Sequence, residues 1–191
     1  MREWDSAVFH AVNRWPESWS PFFRFMSEAT NETPVRVGLL LVVLAMLLAK
    51  GRWARGAVQA LLAFPLANEI TDVWKFALPM NRPFQIEEVI LRAGSSDSMG
   101  TASAHSANMA AVAFAFAYHQ GLWGYPWIVI AFFVGLSRIY NGVHYPSQVL
   151  LGWACGAFAA FVVIKTWEAI VLRRNRVHPT TDAQQTTGDT P

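Results

Sequence analysis

The stretch GLSRIYNGVHYPSQVLLGW, residues 135–153, decides how the rest of the chain is read. It sets Arg138 and His144 in a short connector between two apolar segments. Charge at the edge of a membrane span is costly and tends to be kept where it has a function. The connector is therefore a candidate site, and the segments on either side of it are candidate spans.

Composition points the same way. The 191 residues are 53% hydrophobic, 14% aromatic and 15% charged, whereas charged residues make up about 25% of an ordinary soluble domain. An integral membrane protein is expected. The net charge of +2 is small and the basic residues are scattered or flank apolar runs, which suits anionic lipid headgroups and argues against a nucleic-acid partner. Cys155 is the single cysteine, so it forms no intrachain disulfide, and its apolar surroundings in sequence mark it as a packing residue.

Residues 1–33 mix Trp4, Trp15, Pro16, Trp19 and Pro21 with charges and read as one or two amphipathic helices lying in the interface. Asp5 and His10 interrupt anything like the apolar core of a secretory signal. Residues 34–50 make a first span if Arg36 and Lys50 snorkel to opposite surfaces. A tight basic turn at 51–55 leads to a second span over 53–78, with a kink expected at Pro65. The end of that span turns polar: Glu69, Asp72 and Lys75 share one helix face, which must look into the bundle or up to water.

After a polar loop over 80–100, a third segment rich in small residues covers 101–118, a fourth 122–140 and a fifth 146–172. In the last, Gly152 and Gly156 form a small-xxx-small pattern suited to close helix packing. The expected fold class is all-α, a polytopic membrane bundle of about five or six transmembrane helices with N-terminal interfacial helices. Residues 1–176 are expected to form one domain with its core motifs at 75–148, followed by a disordered polar tail at 177–191.

Counting crossings brings residues 75–83, 103–108 and 137–148 to one side of the membrane. Lys50, Arg52, Arg55, Arg173, Arg174 and Arg176 fall on the other, while the cluster side carries Glu87, Glu88 and Asp97. The positive-inside rule then turns the clusters away from the cytoplasm. They combine three cations, Lys75, Arg82 and Arg138, with His105 and His144, the hydroxyls of Ser103 and Ser137, and backbone N–H groups where the third segment begins. Fixed cations and a helix N-terminus neutralise phosphoryl oxygens. One neutral imidazole can attack phosphorus while a second, protonated, gives its proton to the departing oxygen.

Plainer readings stand beside this one. His10, His119 and His178 read as packed or interfacial residues, and Arg82 and Arg138 could anchor span ends to lipid phosphates. Glu69 and Asp72 read as a structural ion-pair ladder with Lys75. Asn108, one turn beyond His105, either joins helices or touches the site.

Lys75, six residues, then Arg82-Pro83 resembles the first signature of the type 2 phosphatidic acid phosphatase superfamily, and Ser137-Arg138, five residues, then His144 resembles the third. Between them Ala102-Ser103-Ala104-His105 is similar to the second, Pro-Ser-Gly-His. The resemblance covers residues 50–170. It implies that Lys75, Arg82 and Arg138 bind the substrate phosphate, assisted by Ser103 and the Ala104 backbone N–H. It implies further that His144 is the nucleophile of a phosphohistidine intermediate, that His105 protonates the leaving group, and that neither metal nor other cofactor takes part.

Two alanines replace the proline and glycine of the second signature, at Ala102 and Ala104, and alanine still offers its N–H. The larger departure is Gln148, where the resemblance calls for an aspartate that accepts a hydrogen bond from the His144 imidazole. The amide carbonyl can accept that bond but supplies no charge, so slower turnover is expected. Asp97 is a candidate substitute carboxylate.

The implied activity is a metal-independent lipid phosphate or diphosphate phosphatase in a bacterial inner membrane, with its site on the periplasmic or extracellular face. Undecaprenyl diphosphate, phosphatidic acid, phosphatidylglycerol phosphate and the lipid A 1-phosphate are its candidate substrates. A phosphotransferase on the same scaffold and a catalytically impaired lipid-phosphate-binding protein are the alternatives.

Overall fold

The computed structural model describes residues 3–94 and 98–177. Asp97, His178 and the rest of the expected tail lie outside the described residues. Every regular element among the described residues is helical. The N-terminal segment forms α1 (Glu3–Asn13) and α2 (Ser20–Glu28), with single 3-10 turns at Glu17–Trp19 and Ala29–Asn31. Five long helices follow where apolar segments are expected: α3 (Thr33–Leu48), α4 (Gly51–Ala77), α6 (Ala104–Gln120), α7 (Tyr125–Tyr140) and α8 (Pro146–Val177). The polar loop holds the one-turn helix α5 (Pro83–Ile86).

Helix boundaries follow local chemistry. Pro34 opens α3 and Pro126 opens α7 at positions where a missing N–H costs nothing. The reversal between α3 and α4 is tighter than the expected turn at 51–55. Lys50 and Gly51 alone turn the chain, with φ of 58° and 54°, and Arg52, Trp53 and Arg55 already belong to α4. Pro65 lies inside α4, which continues on both sides of it.

The centre of the bundle is α6, packed against α4, α7 and α8. Ala63, Ala67, Ala107, Ala111, Cys155, Ala159 and Ala160 form a buried cluster of small side chains between α4, α6 and α8. At Gly152 a Cβ would meet the Ser103 carbonyl oxygen at 2.5 Å, and at Gly156 it would run into the Ala107 carbonyl. The small-xxx-small pattern thus brings α8 against the backbone of α6.

A second cluster joins the N-terminal segment to the quoted connector: Phe9, Val12 and Phe23 pack on Ile139, Tyr140, Tyr145 and Val149. The amphipathic faces of α1 and α2 are therefore spent partly on the bundle itself, while Trp4, Trp19, Phe22 and Phe25 remain exposed. Among the described residues two helical stretches, Ala104–Tyr140 and Pro146–Arg174, are long and apolar enough to cross a membrane. A third joins them if Glu17–Asn31 and Thr33–Leu48, bent by 65°, make one span.

Candidate active site

Three connectors converge at one end of the bundle and are tied by their backbones. Gly100 N–H donates to the Met80 carbonyl at 2.7 Å, and Ser103 N–H to the Gln148 carbonyl at 3.0 Å. The Thr101 hydroxyl donates to the Leu78 carbonyl at 2.6 Å and accepts from Met80 N–H at 3.1 Å. In the third connector the Val143 and His144 N–H groups both donate to the Arg138 carbonyl, at 3.1 and 3.2 Å. Gly142, with φ of 82°, turns the chain immediately after α7, where a Cβ would meet the Ile90 carbonyl oxygen at 2.8 Å. These bonds hold the expected clusters together.

His144 is 3% exposed. Its Nε2 lies 3.3 Å from Arg82 Nη1 and its Nδ1 lies 3.0 Å from Gln148 Oε1. A guanidinium can only donate, so Nε2 must be the acceptor and Nδ1 must carry the hydrogen given to the amide oxygen. The imidazole thus points a lone pair toward the cations. Burial, reinforced by Arg82 and Arg138, holds its pKa well below the usual 6.5.

Gln148 is committed on both sides. Its Oε1 also accepts from Tyr145 N–H at 3.2 Å, and its Nε2 donates to the Asn81 carbonyl at 2.9 Å. That last bond fixes which end of the amide faces His144, and it is one a carboxylate could not make. Gly100 leaves room for it, since a Cβ there would meet Arg82 Cγ at 2.7 Å and the Gln148 amide at 3.0 Å.

Each cation has its own fixing partner. Arg82 donates from Nε and Nη2 to the Ser98 carbonyl and hydroxyl, both at 2.8 Å. Arg138, 7% exposed, donates from Nη1 to Ser27 Oγ on α2. Its Nε has no hydrogen-bond partner among the described residues. A buried guanidinium N–H left unpaired favours an incoming anion. Lys75 Nζ is 2.7 Å from Asp72 Oδ1, an exposed pair of the weak, exchangeable kind. Of the expected ladder, this is the rung the structure contains.

His105, at the second position of α6, is exposed at the mouth of the site, with Arg138, Arg82 and Lys75 as its charged neighbours. Ser103 caps α6, its hydroxyl accepting from Ser106 N–H at 3.4 Å. The Ala104 and His105 N–H groups fall in the first turn, where intrahelical acceptors are absent. Ser137 is turned away: its hydroxyl donates to the Val134 carbonyl of its own helix at 2.7 Å. Asn108 Oδ1 is buried without a partner among the described residues.

Sequence reasoning passed over several residues that hold this site. Asp5 on α1 accepts from Ser147 N–H at 2.9 Å and from its hydroxyl at 2.5 Å, capping α8 from another helix. Glu87 accepts from the Tyr145 hydroxyl and lies 2.7 Å from His10 Nε2. Its carboxyl is held below the usual range, chiefly by the Tyr145 bond. Neither pair, nor Ser98 with Arg82, has a spacing that sequence could have flagged, because the partners sit far apart in the chain.

Comparison with known proteins bears on fold and family. Over 51 residues the chain is 45% identical to the bacitracin transport permease protein BcrC of Bacillus licheniformis, covering 27% of this chain and 25% of that protein. Over 127 residues it is 26% identical to the undecaprenyl-diphosphatase of Sulfolobus acidocaldarius, covering 64% of this chain and 61% of the relative. The chain thus spans less than two thirds of either relative. Aquifex aeolicus LpxE superposes with a TM-score of 0.72 at 20% identity, over 86% of this chain and 96% of that structure. The first transmembrane PAP2 type phosphatidylglycerolphosphate phosphatase from Bacillus subtilis gives 0.66 at 23% identity, over 87% and 85%. Those two likenesses speak to the fold. The model of the PAP2 superfamily matches residues 53–171, which contain all three converging connectors, and the chain belongs to that superfamily.

Proposed function

We propose that this chain is a lipid phosphate or diphosphate phosphatase that works through a phosphohistidine on His144 and without a metal. The observation that carries the reading is the His144 imidazole, whose Nδ1–H goes to Gln148 and whose Nε2 lone pair faces the Arg82 guanidinium. A phosphoryl group bound there displaces the Arg82 contact and takes the lone pair at phosphorus.

Arg82, Arg138 and Lys75 neutralise its oxygens, with the Ala104 N–H at the open end of α6 and Ser103 behind it. As the Nε2–P bond forms, the P–O bond to the lipid breaks and the departing oxygen takes a proton from His105. Water then attacks the phosphohistidine, gives a proton back to His105, and the P–N bond breaks to release phosphate. Gln148 accepts the Nδ1–H throughout, but as a neutral amide it stabilises the cationic imidazole less than a carboxylate would, so modest turnover is expected.

The same reading takes the five long helices as membrane crossings and sets the site on the periplasmic side of a bacterial inner membrane. The arginines of α4 and the end of α8 then face the cytoplasm. The lipid headgroup enters between the connectors, with its tail left among the helices.

The test is phosphate release in detergent, with EDTA present, from undecaprenyl diphosphate, phosphatidic acid, phosphatidylglycerol phosphate and lipid A 1-phosphate. The chain is expected to be active and His144→Ala inactive. Release confined to Gln148→Asp favours the impaired binding protein, and phosphoryl transfer to an added lipid or sugar acceptor in place of water favours the transferase.

A further inference from the structure

The phosphate-binding residues named above lie inside the matched family region, 53–171, yet one of the two buried arginines is held from outside it. Arg138 Nη1 donates to the hydroxyl of Ser27 near the end of α2. Ser27 is 3% exposed and Arg138 7%, so the contact is shielded from water. Two further contacts join α2 to the end of α7. The Phe23 ring lies 4.6 Å from the Tyr140 ring, and the Phe23 carbonyl accepts from Asn141 Nδ2 at 3.4 Å.

We propose that Ser27 is a positioning residue for substrate phosphate, acting through Arg138; this rests on the phosphatase reading of the site. The guanidinium has three nitrogens arranged in a rigid fork. With Nη1 tied to Ser27 and Nε unpaired among the described residues, rotation of the fork is restricted and a donor is left for an incoming anion. Arg138 is a charged neighbour of both His144 and His105. Without the Ser27 hydroxyl the guanidinium keeps its charge but loses its orientation, and a bidentate grip on phosphate depends on orientation. The N-terminal segment is then part of the phosphate site as well as a lipid-facing anchor.

The experiment is steady-state phosphate release by the full chain in detergent, with inhibition by inorganic phosphate, for the unaltered chain, Ser27→Ala and Ser27→Thr, each with a thermal melting midpoint. Losing one charge-assisted hydrogen bond should raise KM and the phosphate inhibition constant about tenfold in Ser27→Ala with kcat nearly unchanged. Ser27→Thr, which keeps the hydroxyl, should restore both. Unchanged KM and inhibition in Ser27→Ala, or an equal loss in Ser27→Ala and Ser27→Thr, overturns the inference while the phosphatase reading stands. An unaltered chain that neither releases phosphate nor responds to it overturns both.

Discussion

At the scale of single residues, the proposed mechanism depends on one imidazole being held in one tautomer. Gln148 is the acceptor that holds it, and it also satisfies Tyr145 N–H. Gln148→Ala leaves two buried donors without an acceptor, at a cost of about 1–3 kcal/mol each. It should lower kcat at least tenfold and reduce the melting midpoint, measured by phosphate release and a thermal scan. The pH dependence follows from His144. Its folded pKa lies well below the ordinary 6.5 because of burial and the two arginines, so as pH falls from 6.5 toward the folded value the unfolded chain binds the extra proton and stability is lost. The proposed mechanism uses the neutral Nε2 as nucleophile, so the acid limb of kcat/KM should lie below pH 6.5. An acid limb at neutral pH would count against His144 as the nucleophile.

At the scale of elements, α8 begins with a proline and a serine and takes its cap from elsewhere. Asp5 accepts both bonds from Ser147, and its charge also suits the helix N-terminus. Replacing a capping residue by alanine costs about 0.5–2 kcal/mol. Asp5→Ala should therefore lower the melting midpoint measurably and loosen the first turn of α8, which carries Gln148; hydrogen exchange at Gln148 and Val149 would register it. Capping boxes are legible in sequence because cap and helix are contiguous, whereas a cap supplied from 142 positions away leaves no local trace. The helices themselves were legible: the apolar runs located all five long ones. What periodicity missed was that α1 and α2 pack on the α7–α8 connector, since an amphipathic helix looks the same whether its apolar face meets lipid or protein.

At the scale of the whole molecule, the proposed orientation makes a direct prediction. Glu88 in the loop after α5 and Leu122 in the turn between α6 and α7 are both exposed, and Cys155 is buried. In intact cells a membrane-impermeant thiol reagent should label Glu88→Cys and leave Leu122→Cys unlabelled until the membrane is opened. The reverse pattern would invert the topology and place the site in the cytoplasm.

The sequence by itself determined the helical class, the membrane character and the residues that meet at the connectors, because hydrophobic runs and fixed motif spacings are local and survive in one dimension. Only the tertiary structure decided what holds those residues in place. Ser27 beneath Arg138, Ser98 around Arg82, Asp5 on α8 and the Asn81 carbonyl against Gln148 are contacts between distant parts of the chain. Each depends on where a single hydrogen-bonding group arrives once the helices pack, and no spacing rule encodes that arrival.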